Sequence, residues 1–210
     1  MFNTTLFIIS IQFAMGNKIS KKSTELKRKI YLKAAVKHFE EFGYENANMS
    51  KLAKELKISV GTLYKVFDNK ENLYFEYILH QIDNFVKILN DSKTNDPIAN
   101  LKHYLEYKYN YFITNSKSIE LSLAHDPFFF HKLNTKNTHP MDKIFEFLAK
   151  QFKDILKNDK IDYKHIAILF KKLSDGYTES YRIKEFDTSN VIDDTIKLFL
   201  NGILSSYKKE

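Results

Sequence analysis

The eight residues "VGTLYKVF", Val60–Phe67, hold the side chains whose types and spacing could do chemistry. On a helix turning about 100° per residue, Leu63, Phe67, Val60 and Val66 fall on one arc. Gly61, Thr62, Tyr64 and Lys65 fall on the other. That second arc offers bare backbone, a hydroxyl, a phenol and an ammonium, groups that donate to phosphate oxygens and reach base edges. A helix that merely covered a core would more usually carry Glu, Gln or Lys there.

The neighbouring elements must position this arc. Ser59 can cap the helix, and Asn48 can cap a preceding one through Leu56, with Met49, Leu52, Ala53 and Leu56 turned inward. The turn "KIS" joins them into a helix-turn-helix. Ala53 is small where the two helices must approach, and Ile58 can plug the pair from beneath. Helix N-termini at Asn48, Ser59 and Asn69 present backbone N–H groups suited to phosphate, with Lys70 beside one of them. Upstream, Leu26, Ile30, Ala34, Ala35, Phe39 and Phe42 follow helical spacing from Thr24 to Phe42, and Gly43 stops that helix.

The 210 residues include no Cys, which excludes disulfides, thiolate metal sites and cysteine nucleophiles. Only 5 Gly and 3 Pro leave little material for tight turns and favour long helices. Of the net charge of +7, the stretch Gly16–His80 holds 13 Lys/Arg against 8 Asp/Glu, an excess that suits a polyanion partner. Lys18, Lys21, Lys22, Lys27 and Arg28 could follow a DNA backbone or enter a minor groove. His103, His125, His131, His139 and His165 show no His-x-x-x-His pair, so no metal site is expected. No phosphate-binding Gly-rich loop, Gly-x-Ser-x-Gly elbow or His-Glu-x-x-His helix is present, and we expect neither catalysis nor a cofactor.

The remaining pattern is helical throughout: Asp68 or Asn69 to about Asn90, "IANLKHYLEYKYNYFITN", the short "SKSIELSLAH", then Met141–Asn158, Tyr163–Glu185 and Ser189–Lys208. The stretch Asp126–Pro140 reads as an irregular connection. The expected fold class is all-α, of about nine helices. The apolar run Leu6–Met15 is too short to span a bilayer, and no membrane association is expected. "MGNKIS" is an internal, accidental match to a lipidation pattern, with Met15 an alternative start.

The run "KIYLKAAVKHFEEFGYENANMSKLAKELKISVGTLYKVFDNKENLYFEYI" resembles the N-terminal domain of the TetR (tetracycline repressor) family of bacterial transcription regulators. The matching pieces are "AA" and "F" before "GY", "LA" in the second helix, "SVGTLY" with the following "F", and "NKENL". A reducing cytoplasm fits the absence of Cys, and the resemblance implies a homodimer, with Val60–Phe67 as recognition helix. It implies that Asn48, Thr62, Tyr64 and Lys70 hold phosphates, with Ser59 at the helix start, and that Val60, Gly61 and Lys65 lie nearest the bases. Residues 1–20 then read as a flexible or docked extension, 21–68 as the helix-turn-helix domain, and 69–210 as a helical ligand-sensing and dimerisation domain. A pocket for a small-molecule effector would use Tyr104, Tyr107, Tyr111, Phe112, Phe145, Phe152, Phe170 and Tyr177. The last two helices would pair with their copies as a four-helix bundle. Gly202, and Gly176 one helix earlier, would allow close approach there.

The chain departs from the family at three places. Ala47 and Asn48 stand where Thr followed by Ser or Thr is usual, Lys57 replaces the turn glycine, and Val66 replaces Tyr or His. A left-handed Lys57 costs about 1 kcal/mol. The function expected is a sequence-specific DNA-binding regulator, a repressor released from a palindromic operator by its effector. The rivals are a non-specific DNA-binding protein, which would show no preferred sequence, and a helical carrier or enzyme with an inert helix-turn-helix.

Overall fold

The computed structural model describes the backbone of residues 4–114, 141–182 and 190–207, and the side chains of 22–111, 141–178 and 190–206. Among them the chain forms eight α-helices: α1 (Thr4–Asn46), α2 (Met49–Glu55), α3 (Val60–Phe67), α4 (Lys70–Asp91), α5 (Pro97–Thr114), α6 (Asp142–Leu156), α7 (Tyr163–Arg182) and α8 (Val191–Tyr207). The expected short helix "SKSIELSLAH" and the connection Asp126–Pro140 lie outside the described residues, as do His125, His131, His139 and the Phe112, Lys18 and Lys21 side chains. The chain divides into two compact units, the break falling inside α4 between Ile78 and Leu79. No helix among the described residues is long and apolar enough to cross a membrane.

In the first unit α1 is interrupted at Gly43, whose φ of 69° an L side chain adopts only with strain. Its buried arc runs through Tyr31, Ala35, His38 and Phe39. Leu26 and Ile30, read from spacing as part of that stripe, are 61% and 52% exposed. They sit about 100–180° round the helix from Tyr31 and Ala35, so the face that meets α2–α4 passes them by. Phe39 packs edge-on against Tyr74 of α4 at 5.0 Å, and Tyr44 lies 4.9 Å from the same ring.

The second unit is built by α5–α8 and the later part of α4. Phe152, Phe170 and Phe199 contact one another at centroid distances of 5.0–5.5 Å, bringing α6, α7 and α8 together. Tyr104 of α5 joins this cluster at 6.1 Å from Phe170. Two buried amides are matched: Asn100 Nδ2 donates to Gln151 Oε1 (2.9 Å) and Gln151 Nε2 to the Phe147 carbonyl (2.9 Å). Asn100 Oδ1 accepts from the Thr94 N–H, so both polar side chains are satisfied inside the core.

Between α5 and α7, Asp175 bridges two ammoniums, Lys108 and Lys171, each at 2.7 Å. Burial alone would push the Asp175 carboxyl up, but the two lysines outweigh it and hold it below the usual range.

Candidate nucleic-acid interface

The turn between α2 and α3 fixes how α3 is presented. α2 ends in a Schellman motif: the Ile58 N–H reaches the Ala53 carbonyl and the Lys57 N–H the Lys54 carbonyl, both at 3.0 Å. This requires Lys57 in the left-handed region, where its φ is 54°. The strain anticipated for the missing turn glycine is therefore present. Ser59 then caps α3, its Oγ accepting the Thr62 N–H at 3.0 Å and lying 2.8 Å from the Thr62 hydroxyl.

Leu63 and Phe67 are fully buried, while Gly61, Tyr64 and Lys65 are exposed and Val60 and Thr62 half-exposed. The polar arc of α3 thus faces away from its own domain. The Thr62 hydroxyl is shared with the cap, so its contribution outward comes through the remaining donor or acceptor capacity of that pair. Gly61 is informative. A Cβ built there would meet only Ser59 Oγ, at an ordinary 3.8 Å. Nothing inside the protein asks for a glycine at that exposed helical position.

Besides Ser59 on α3, two more helix starts in this unit carry side-chain caps. Asn48 Oδ1 accepts the Lys51 N–H at 3.0 Å, capping α2. Asn69, not Asp68, caps α4, its Oδ1 accepting the Asn72 N–H at 2.7 Å. Asp68 instead occupies a γ-turn, with φ 65° and the Asn69 N–H on the Phe67 carbonyl at 2.8 Å. Lys70 is half-buried: its ammonium donates to the Glu45 carbonyl (3.3 Å) and lies 4.5 Å above the Tyr44 ring. It is therefore held beside the start of α4 rather than swinging freely.

Two positioning residues gave no local sign in the sequence. Arg28, expected among the basic residues that reach DNA, turns inward instead. Its guanidinium pairs with Glu76 of α4, donates to the Val66 carbonyl at the end of α3, and lies 4.8 Å above the Phe67 ring. It ties the last turn of α3 to α1 and α4. His38, buried on α1, accepts the Asn48 N–H through Nε2 at 3.2 Å.

The proposed pocket residues are divided. Tyr104, Phe145, Phe152 and Phe170 are buried in the core of the second unit, whereas Tyr107 and Tyr177 are half-exposed and Tyr111 is exposed. Among the described residues no group of three or more His, Asp or Glu is placed to hold a metal ion.

Residues 32–77 match the sequence profile described as bacterial regulatory proteins, tetR family. A curated HTH-type transcriptional regulator of Staphylococcus aureus (strain bovine RF122 / ET3-1) is 31% identical over 134 residues, covering 61% of this chain and 70% of that protein. The match spans just under two thirds, 66%, of the 29% identical relatives from other S. aureus strains. Among solved structures, the fatty acid degradation regulator FadR from Bacillus halodurans has a TM-score of 0.60 at 19% identity, over 83% of this chain and 94% of that one. FadR from Bacillus subtilis in complex with stearoyl-CoA has a TM-score of 0.52 at 18% identity, over 82% and 97%. At such identities these two structures establish a common fold.

Proposed function

The chain belongs to the TetR family of bacterial regulatory proteins, and from that premise we propose that it is a DNA-binding transcriptional regulator acting in the cytoplasm. The observation that carries the reading is the division of α3: Leu63 and Phe67 are fully buried beneath an exposed Gly61, Tyr64 and Lys65. In the groove, Val60, Gly61 and Lys65 approach the bases. Asn48, Ser59, Thr62, Tyr64 and Lys70 secure the phosphates on either side.

The functional unit is a homodimer. Leu169, Leu173 and Gly176 form a stripe at helical spacing on α7, and Leu198, Gly202 and Ser205 form another on α8. The three leucines are 49%, 39% and 63% exposed, and a Cβ at either glycine would meet nothing within 4 Å. Covering these stripes with a second copy buries the leucines and lets the backbones approach at the glycines. Two recognition helices about 34 Å apart then read a two-fold related operator in successive major grooves.

A small-molecule effector releases this repressor. The effector binds in the second unit and shifts the spacing of the recognition helices only by its differential affinity for the two states. Support for a ligand there comes from the shared fold with FadR of B. subtilis, solved with stearoyl-CoA. Tyr107, Tyr111 and Tyr177, with their exposed ring or hydroxyl surface, offer first contacts. Tyr104, Phe145, Phe152 and Phe170, buried in the core of this unit, are the apolar surface such an effector would reach. No resident cofactor or catalytic role is proposed.

The test is selection of random double-stranded DNA by the purified protein. We expect a two-fold related motif, and the double variant Tyr64→Ala with Lys65→Ala should bind it at least tenfold more weakly. Enrichment of no motif, or unchanged affinity of that variant, refutes the proposal.

A further inference from the structure

A helix start that binds phosphate must itself be held still, and α2 lacks the usual local means. In a capping box the third helical residue is Glu or Gln and reaches back to accept the N–H of the cap residue. Here that residue is Lys51, which has no acceptor. The Asn48 N–H goes instead to His38 Nε2, 3.2 Å away on α1. His38 is 3% exposed, with its ring 4.8 Å from Phe42.

We infer that His38 is a positioning residue for DNA binding: its Nε2 completes the α2 cap from the neighbouring helix. The inference rests on the assignment of Asn48 to the phosphate-facing edge. Asn48 is held at two points, Oδ1 by the Lys51 N–H and its own N–H by His38. This leaves its side-chain amide group to point at a phosphate oxygen.

The bond fixes the tautomer. Nε2 accepts, so the single proton of the neutral ring sits on Nδ1, which faces Glu55 Oε2 at 3.7 Å. A side chain without an acceptor at the Nε2 position would leave the Asn48 N–H without this partner, and the α2 cap would loosen.

The experiment uses the full chain and the DNA motif it selects, with affinity measured by fluorescence anisotropy. Loss of a helix cap corresponds to about fivefold in affinity per half-site, and His38→Leu should weaken binding by that factor or more. His38→Gln, whose Oε1 can take the place of Nε2, should keep affinity near wild type. A readout without DNA separates this inference from the regulator assignment. In the free protein, the Asn48 amide proton should exchange with solvent faster in His38→Leu, and at the wild-type rate in His38→Gln, by NMR. Should His38→Leu leave that exchange or the affinity unchanged, or should His38→Gln fail to restore them, the inference falls. Failure to bind DNA at all, with the Asn48 exchange following His38, would sink the regulator assignment and the DNA half of this inference, leaving only the cap.

Discussion

Replacing Gly61 by alanine separates what α3 needs in order to fold from what it needs in order to bind. A glycine in a helix costs about 0.5–1 kcal/mol relative to alanine, through the extra backbone freedom lost on folding. Gly61 is the second residue of α3, where the first turn is already held by the Ser59 cap, so the lower end of that range applies. The added Cβ meets Ser59 Oγ at 3.8 Å, ordinary van der Waals contact, and no neighbour has to shift. Gly61→Ala should therefore stabilise the protein by about 0.5 kcal/mol, a rise of about 1–2 °C in Tm for a chain of this size. DNA affinity should move the other way. If the helix backbone is pressed against a base edge or phosphate, the methyl group forces the two apart. Losing one good base contact costs about 1–3 kcal/mol per half-site, tenfold or more in Kd. Thermal unfolding by circular dichroism and anisotropy on the selected operator measure both quantities in the same preparation. An alanine variant that binds within twofold of wild type would show that nothing approaches Gly61 closely, and the docking of α3 argued above would be wrong. A variant that lost stability would show instead that the protein itself required the glycine.

Lys57→Gly relieves the left-handed strain at φ 54° and should raise stability by about 0.5–1 kcal/mol, read as a higher denaturation midpoint with unchanged m. Asp175→Asn leaves Lys108 and Lys171 partly buried without their shared carboxylate and should cost about 2 kcal/mol in urea unfolding at pH 7. The same carboxyl, held low in the folded protein, adds stability above its ordinary range that is lost as pH falls through the depressed value. The Asp175→Asn penalty should therefore shrink below about pH 4. Leu198→Glu combined with Leu169→Glu places charge on both exposed stripes and should shift the protein to monomer in sedimentation velocity while leaving its helicity unchanged.

The helix-turn-helix was legible because its information is local. Leu63 and Phe67 four residues apart, Ser59 before them, Asn48 before Met49 and Gly43 after Phe42 each specify a face, a start or a stop within one turn of helix. The cost at Lys57 is anticipated through the family resemblance, whose turn glycine Lys57 replaces. Arg28 shows where such reading ends. "KRK" at Lys27–Lys29 looks like three equivalent cations, and Lys27 and Arg28 are assigned alike to a DNA backbone or minor groove. What singles out Arg28 is Glu76, 48 residues away, together with a carbonyl at the end of α3 that no sequence pattern marks. A planar guanidinium can serve a carboxylate, a helix terminus and the Phe67 face together, which an ammonium cannot. The Arg at that position is therefore chosen by three-dimensional neighbours. The same applies to Leu26 and Ile30. Spacing shows that they share an arc, but which arc of α1 is covered depends on where α2–α4 settle. That is decided by Phe39, Tyr44 and Tyr74 meeting across the domain. Local sequence thus determines what each helix can present, and contacts between helices determine which of those faces remains free to meet DNA.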